Sequence, residues 1–130
     1  MERFIYAVEV LFMPKKTTAR KSGAINPIEA IVYEKQAEIC KAFANPVRLR
    51  IINSVCGGEC AASDLQKVLG ISKANLSQHI AVLKTAGVIG TRREGKHLFY
   101  SLAIPEVKQA CDLVRKVLYA QLEGARKLLA

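Results

Sequence analysis

The stretch S-D-L-Q-K-V-L-G-I-S-K-A-N-L-S-Q-H-I-A-V-L-K-T-A-G, residues 63–87, decides the fold. Ser63 with Gln66 three positions later is a capping-box pattern, which predicts a short helix that begins at Ser63 and ends at Gly70. Ser72 is a second N-cap residue, and a longer helix is expected to follow it. The stretch therefore predicts two helices joined by a tight turn, an arrangement with which many proteins read DNA.

The longer of these helices has one apolar side and one hydrophilic side. Leu76, Ile80 and Leu83 recur at i, i+4 and i+7, so this side should pack inward. The other side has small residues, which permit close approach to a major groove, and polar residues that can hydrogen-bond base edges or phosphates. The predicted DNA contacts from this pattern are Lys73, Ala74, Ser77, Gln78 and Lys84.

A β-hairpin is expected directly after the helix pair. Residues 88–92 and 97–102 are predicted strands, and residues 93–96 form the predicted tip. The hairpin carries Arg92, Arg93 and Lys96, which suit phosphate contact or entry into a minor groove.

Charge and composition agree with a nucleic-acid partner. The chain has 130 residues, 20 Lys and Arg against 11 Asp and Glu, and a net charge of +9, which favours nucleic acid or an anionic membrane over an acidic substrate. With 51% hydrophobic residues it should form one packed domain, predicted over residues 28–130. Residues 1–27 are predicted to be a mobile basic arm, in which residues 1–12 are either native or the product of an upstream start site.

Further helices are predicted on both sides of the helix pair. Apolar spacing indicates one from Ile28, a second after the Asn45-Pro46 cap, and a last one from Pro105. The predicted fold class is thus mainly α with a small β-hairpin.

Four segments resemble the ArsR/SmtB (arsenic-repressor) family: N-P-V-R-L-R-I-I at 45–52, S-D-L-Q-K-V-L-G-I-S at 63–72, N-L-S-Q-H-I-A-V-L-K-T-A-G-V-I at 75–89, and the following G-K-H-L-F-Y-S-L. The resemblance implies a winged helix-turn-helix that dimerises through its first and last helices. It also implies a transcriptional repressor that leaves double-stranded operator DNA when an effector arrives. The family's recognition-helix role carries over to Ser72, Lys73, Ala74, Asn75, Ser77 and Gln78, and its wing role to Arg92, Arg93 and Lys96.

Separately, the four scattered cysteines indicate a cytoplasmic protein with reduced thiols. The apolar segment at residues 1–12 is too short to span a bilayer, so no membrane partner is expected.

The cysteines depart from the family's metal sites. One such site has two cysteines just before the helix pair, where this chain has Ala61 and Ser63. Another uses histidines and carboxylates on the last helix, but residues 105–130 contain no histidine. A tetrahedral zinc site of either kind is therefore not expected, and no cofactor is predicted to be required.

Cys56, Cys60 and Cys111 remain as a candidate effector site. A bend at the diglycine between Cys56 and Cys60 could bring these sulfurs together, and a third thiolate, from Cys111 or from the dimer mate, would complete a set that suits As(III) or a soft metal ion. Two of the thiols could instead sense oxidants or reactive sulfur. A structural role, and a DNA-binding protein with no effector, are further alternatives.

Two other interpretations concern a lone thiol and catalysis. Cys40 is expected to serve packing in the first helix. No enzyme is predicted, because the chain has neither a C-x-x-C motif nor a Gly-rich phosphate loop.

Overall fold

The computed structural model describes residues 23–129. The chain divides into two units, and the boundary between them falls after Ile31. The elements in chain order are α1 (Pro27–Phe43), α2 (Pro46–Val55), β1 (Cys60–Ala61), α3 (Ala62–Leu69), α4 (Lys73–Thr85), β2 (Ile89–Glu94), β3 (His97–Leu102) and α5 (Glu106–Leu129). In the first unit, Asn26 Oδ1 accepts a hydrogen bond from the Ile28 amide, 3.0 Å. Residues 1–22 of the predicted basic arm, which include residues 1–12, lie outside the described residues.

Two of the predicted helix starts are confirmed by their caps. Asn45 Oδ1 accepts hydrogen bonds from the amides of Val47 (2.9 Å) and Arg48 (3.2 Å), with Pro46 in the first turn. Ser72 Oγ accepts from the Asn75 amide at 3.1 Å and so begins α4. These side chains satisfy amides that would otherwise lack partners at the helix start.

The predicted cap at Ser63 is wrong. Helix α3 begins at Ala62, and its N-cap position is Ala61, which makes no side-chain cap. The reason is a short strand that the sequence pattern did not indicate: Cys60 pairs with Tyr100, and Ala61 with Phe99. Because this pairing holds the chain extended up to Ala61, the helix begins at the next residue.

The sheet has three antiparallel strands in the order β1-β3-β2. Strand β2 pairs with β3 from Ile89 opposite Leu102 to Glu94 opposite His97. The hairpin turn is therefore Gly95-Lys96, and Gly95 has the positive φ, 60°, that such a turn favours. The predicted tip was longer, since two of its residues, Arg93 and Glu94, belong to β2.

The core holds the helix pair against the base of the hairpin. Its fully buried side chains come from α2, α3, α4 and the start of the hairpin: Ile51, Ile52, Val55, Leu65, Leu83 and Val88. The predicted inward side of α4 is confirmed, because Leu76, Ile80 and Leu83 are buried. No residue of α5 is buried within this chain, although Val107 and Cys111 pack against the core.

The predicted fold class, mainly α with a small hairpin, is confirmed, and β1 adds a third strand. Among residues 23–129 no helix is both long and apolar enough to cross a membrane.

Candidate functional site

Helix α4 presents its hydrophilic side to solvent. Burial of Leu76, Ile80 and Leu83 fixes how the helix is turned about its axis. The predicted contact residues on this helix and its cap are all exposed: Ser72, Lys73, Ala74, Asn75, Ser77, Gln78 and Lys84. Ser72 also has a structural role, since its hydroxyl oxygen caps the helix.

The N-terminus of α4 suits an anion. Its first turn contains Lys73 and no acidic residue, although a positive charge there opposes the helix dipole. The exposed amides of a helix start, the dipole and the lysine all attract a phosphate group. Lys73 is thus unfavourable for the stability of α4 but favourable for binding the phosphate groups of a nucleic acid.

Helix α4 and the hairpin enclose two clefts, both lined by Ser77. One cleft has Lys73 from the helix and Lys96 from the hairpin turn. The other has Lys84 and Arg93. Cations from two separate elements therefore border the same surface, as contact with a phosphate backbone beside a groove requires.

The sheet contributes only one of its faces to the second cleft. Thr91, Arg93, Leu98 and Tyr100 line it, and they share a face because Thr91 pairs with Tyr100 and Arg93 with Leu98. Lys84 Nζ donates to Thr91 Oγ1 at 3.3 Å and links the helix to this face.

Arg92 belongs to the opposite face, with its pairing partner Phe99. Its guanidinium donates to Glu59 through Nη2 (2.6 Å) and Nε (3.0 Å), and to Glu94 through Nη1 (2.9 Å). Sequence reasoning predicted Arg92 as a DNA contact and did not identify Glu59. A charge-pairing signal could not have found this pair, since 33 positions separate the two residues.

Two of the predicted effector thiols share one cavity. Cys56 occupies the C-cap of α2, where its Sγ donates to the Asn53 carbonyl at 3.1 Å. Cys111 lies near the start of α5, and both residues line a cavity of about 270 Å³. The other lining residues are mainly apolar and come from α1, α2 and α5: Phe43, Leu49, Ile52, Asn53, Lys108, Asp112, Val114, Arg115 and Leu118.

Cys60 does not lie beside Cys56 at a flexible bend, as the sequence predicted. It lies in β1, pairs with Tyr100, and is not among the residues that line this cavity. Burial, and then the charge of Asp64, raises the pKa of its thiol. Cys40 is exposed on α1 within one chain. Its predicted packing role near the seam of the first helix stays a prediction.

The three predicted thiols do not form one metal site within a chain. Over residues 23–129 no three His, Cys, Asp or Glu side chains are grouped so that they could hold a metal ion. The structure places Cys56 and Cys111, which are 55 positions apart in sequence, at the same cavity.

Cys111 has a thiol that resists ionisation. Burial is the main cause of its raised pKa, and the nearby charges of Asp112 and Cys56 raise it further, while Arg115 lowers it. The Lys108 ammonium at the cavity edge donates to Asp112 at 2.9 Å, and this hydrogen bond raises the pKa of Lys108. The cavity thus holds a thiol of raised pKa between charged groups and an apolar wall.

Comparison with known proteins gives a consistent set of relatives. The family described as bacterial regulatory protein, arsR family, matches residues 45–91. The chain is 36% identical over 116 residues to the biofilm growth-associated repressor of Agrobacterium fabrum, covering 86% of this chain and 99% of the relative. It is 37% identical over 87 residues to the transcriptional activator HlyU of Vibrio cholerae, covering 67% of this chain and 80% of HlyU.

Solved structures agree with the fold. The structure of reduced HlyU is 33% identical with a TM-score of 0.61, covering 68% of this chain and 93% of HlyU. A homodimeric winged helix-turn-helix DNA-binding domain from Mycobacterium bovis, a possible ArsR-family regulator, is 28% identical with a TM-score of 0.71 and covers 79% of this chain and 95% of the domain.

Proposed function

This chain belongs to the arsR family of bacterial regulatory proteins, and we propose that it represses transcription by binding an operator as a homodimer. As a member of that family it is a winged helix-turn-helix regulator of transcription and not an enzyme. The observation that carries the proposal is the pair of clefts in which α4 and the hairpin present Lys73, Lys96, Lys84 and Arg93 around Ser77. The Agrobacterium relative, which is named as a repressor, matches over most of this chain.

Helix α5 supports the dimer. Its exposed apolar side chains recur every three or four positions and form one stripe: Leu113, Val114, Val117, Leu118, Tyr119 and Leu122. A stripe of this kind on a chain this small favours an interface with a second copy. The M. bovis domain, which is homodimeric, gives the same expectation. Exposed Tyr33 and Ile39 make α1 a second candidate for the interface.

We further propose that Cys56 and Cys111 form the effector site. A peroxide would convert one thiol to a sulfenic acid, releasing water or an alcohol, and the second thiol would then displace water to form a disulfide. This bond would draw α5 towards the end of α2. Because α5 is the proposed dimer helix, the two copies of α4 would change their spacing and lose their fit to the operator. One of the similar solved structures is described as reduced HlyU from Vibrio cholerae, and this is consistent with a redox-dependent regulator.

As(III) or a soft metal ion is the second candidate effector. Two thiols beside one cavity favour it, because soft ions prefer sulfur ligands. A third ligand would have to come from Cys60 after rearrangement, or from the second copy.

The test compares matched cysteine variants. Reduced wild-type protein should bind a duplex selected from a random-sequence pool, and hydrogen peroxide or sodium tetrasulfide should release it. Cys56→Ser and Cys111→Ser should bind but not release, while Cys60→Ser and Cys40→Ser should behave like wild type. Intact mass should show the loss of two hydrogens only when both Cys56 and Cys111 are present.

The outcomes separate the alternatives. If the reduced protein selects no duplex, the regulator proposal is wrong. If sodium arsenite alone releases DNA, and Cys60→Ser abolishes this, the soft-ion site replaces the disulfide. If every variant releases normally, the thiols are not the effector site.

A further inference from the structure

Arg92 is held on three sides. Its two hydrogen bonds to Glu59, at 2.6 and 3.0 Å, involve different carboxylate oxygens, so the contact is bidentate. The third bond goes to Glu94, and the guanidinium lies over the Phe99 ring, 4.4 Å from its centroid. All three guanidinium nitrogens are therefore engaged within the chain.

The pair with Glu59 crosses the sheet. Glu59 immediately precedes β1, which is one edge strand, while Arg92 lies in β2, which is the other edge. The middle strand contributes Phe99, which pairs with Ala61 on one side and with Arg92 on the other. The ion pair thus joins the two edges across this aromatic ring.

Geometry makes this pair more than an ordinary surface contact. Exposed ion pairs often contribute little, but bidentate arginine pairs within a network of charges are the exception. The Arg92 hydrogen bond lowers the pKa of the Glu59 carboxyl, so Glu59 stays ionised to lower pH than an unpaired glutamate does. The other acidic partner, Glu94, lies on the same strand as Arg92 and cannot link the two edges.

We propose that Glu59 and Arg92 are positioning residues of the DNA interface, which set the orientation of the hairpin relative to α4, and that Arg92 does not contact phosphate. The inference rests on the DNA-binding role proposed above. The face of β2 that carries Arg93 lines the cleft with α4, whereas Arg92 lies on the other face. Arg93 and Lys96 then supply the hairpin's contacts with DNA.

The test measures affinity for the selected duplex by fluorescence anisotropy over a range of salt concentrations. Glu59→Gln and Arg92→Gln should each weaken binding by about fivefold or more, and the double variant should be no weaker than either. Neither should change the slope of log affinity against log salt. Arg93→Gln is the control for a residue that does contact phosphate. The magnitude of its salt slope should decrease by about 0.9, the value for one lost phosphate contact. Glu94→Gln is the matched acidic comparison and should weaken binding less than Glu59→Gln, because Glu94 does not link the two edges of the sheet.

A charge exchange separates positioning from contact. The Glu59→Arg, Arg92→Glu double variant restores the ion pair with its sign reversed, so it should recover affinity relative to Arg92→Glu alone. Failure of this rescue, or tighter binding by Glu59→Gln, would overturn the inference. A salt slope that becomes shallower in Arg92→Gln would also overturn it and would make Arg92 a phosphate contact. Wild-type protein that selects no duplex would overturn the proposed function, and this inference with it.

Discussion

Arg48 joins the end of α1 to helix α4 through His79, with 3.5 Å between Nη1 of the arginine and Nδ1 of the histidine. The same guanidinium donates from Nε to the Ala42 carbonyl (2.7 Å) and from Nη2 to the Lys41 carbonyl (3.1 Å). These carbonyls lie in the last turn of α1, where a cation is favourable. His79 is half-buried beside this contact.

Replacement of Arg48 should therefore destabilise the fold. Arg48→Met keeps the apolar stem and removes all three contacts, so the free energy of unfolding should fall by about 1.5–3 kcal/mol. The measurement is urea denaturation at fixed protein concentration, because dimer formation contributes to stability. Arg50→Met is the control. The exposed Arg50 side chain donates to the Val68 carbonyl at 3.4 Å, and the change should be within about 0.5 kcal/mol. Equal losses in the two variants would contradict the bridging role of Arg48.

Gly70 should be required in the turn between α3 and α4. It has φ +64°, and its amide donates to the carbonyls of Gln66 and Lys67, so it ends α3 in the left-handed conformation. A Cβ there would meet nothing within 4 Å, which makes the expected cost purely conformational. Gly70→Ala should lower the free energy of unfolding by about 1 kcal/mol.

The comparison for Gly70 is Gly57→Ala. Gly57 also has open space around it but no positive φ, so this variant should lose no stability in the same denaturation experiment. A loss of similar size at both positions would mean that the left-handed conformation is not the cause.

Sequence reasoning was reliable for features that depend on neighbouring residues. The Asn45 and Ser72 caps and the inward side of α4 follow from residues within two turns of each other. It failed at Ser63, because pairing of Ala61 with distant Phe99 sets the start of α3. The Glu59–Arg92 contact and the shared cavity of Cys56 and Cys111 likewise depend on how separate elements pack. No local pattern specifies such contacts.

Lys73 and Gln78 should affect DNA binding in different ways. Lys73 lines the cleft at the start of α4, so Lys73→Gln should weaken binding to all sequences and reduce the salt slope by about 1. Exposed Gln78 suits a base edge, so Gln78→Ala should reduce discrimination against a changed base pair by about 1–3 kcal/mol and leave the salt slope unchanged. Anisotropy titrations with the selected duplex and single-base variants measure both effects. A changed salt slope in Gln78→Ala would assign that residue to the backbone instead.

Val117 should be required for the dimer. Its side chain is 58% exposed on α5 within one chain, and a carboxylate in an apolar interface would be costly. Val117→Asp should shift the protein to monomer, as measured by analytical ultracentrifugation, and greatly weaken operator binding. Val68→Asp is the control, because Val68 is 66% exposed on α3, away from the stripe. A Val117→Asp protein that remains dimeric would exclude this part of α5 from the interface.

The Cys111 thiol should become reactive only at a higher pH than a free thiol does, because burial raises its pKa. The folded protein keeps the Cys111 proton to a higher pH than an unfolded thiol does. An unfolded thiol has a pKa of about 8.5. Below that pH the Cys111 thiol makes its full contribution to the free energy of unfolding. The contribution is lost as the pH rises through the higher pKa that Cys111 has in the folded protein. Iodoacetamide reacts with the thiolate, so modification of Cys111 should rise with pH through a midpoint above that of glutathione. Mass spectrometry of the peptide between about pH 7 and pH 10 measures the rate.

Two charged neighbours shift the pKa of Cys111 in opposite directions, so variants of each serve as controls. Asp112 raises the Cys111 pKa and Arg115 lowers it. Asp112→Asn should therefore speed modification at a given pH, and Arg115→Gln should slow it, while burial keeps both midpoints above that of glutathione. Since a protonated thiol reacts slowly with peroxide, the same order should hold for the proposed disulfide. Effects in the reverse order would show that access to the cavity, rather than ionisation of the thiol, limits the reaction.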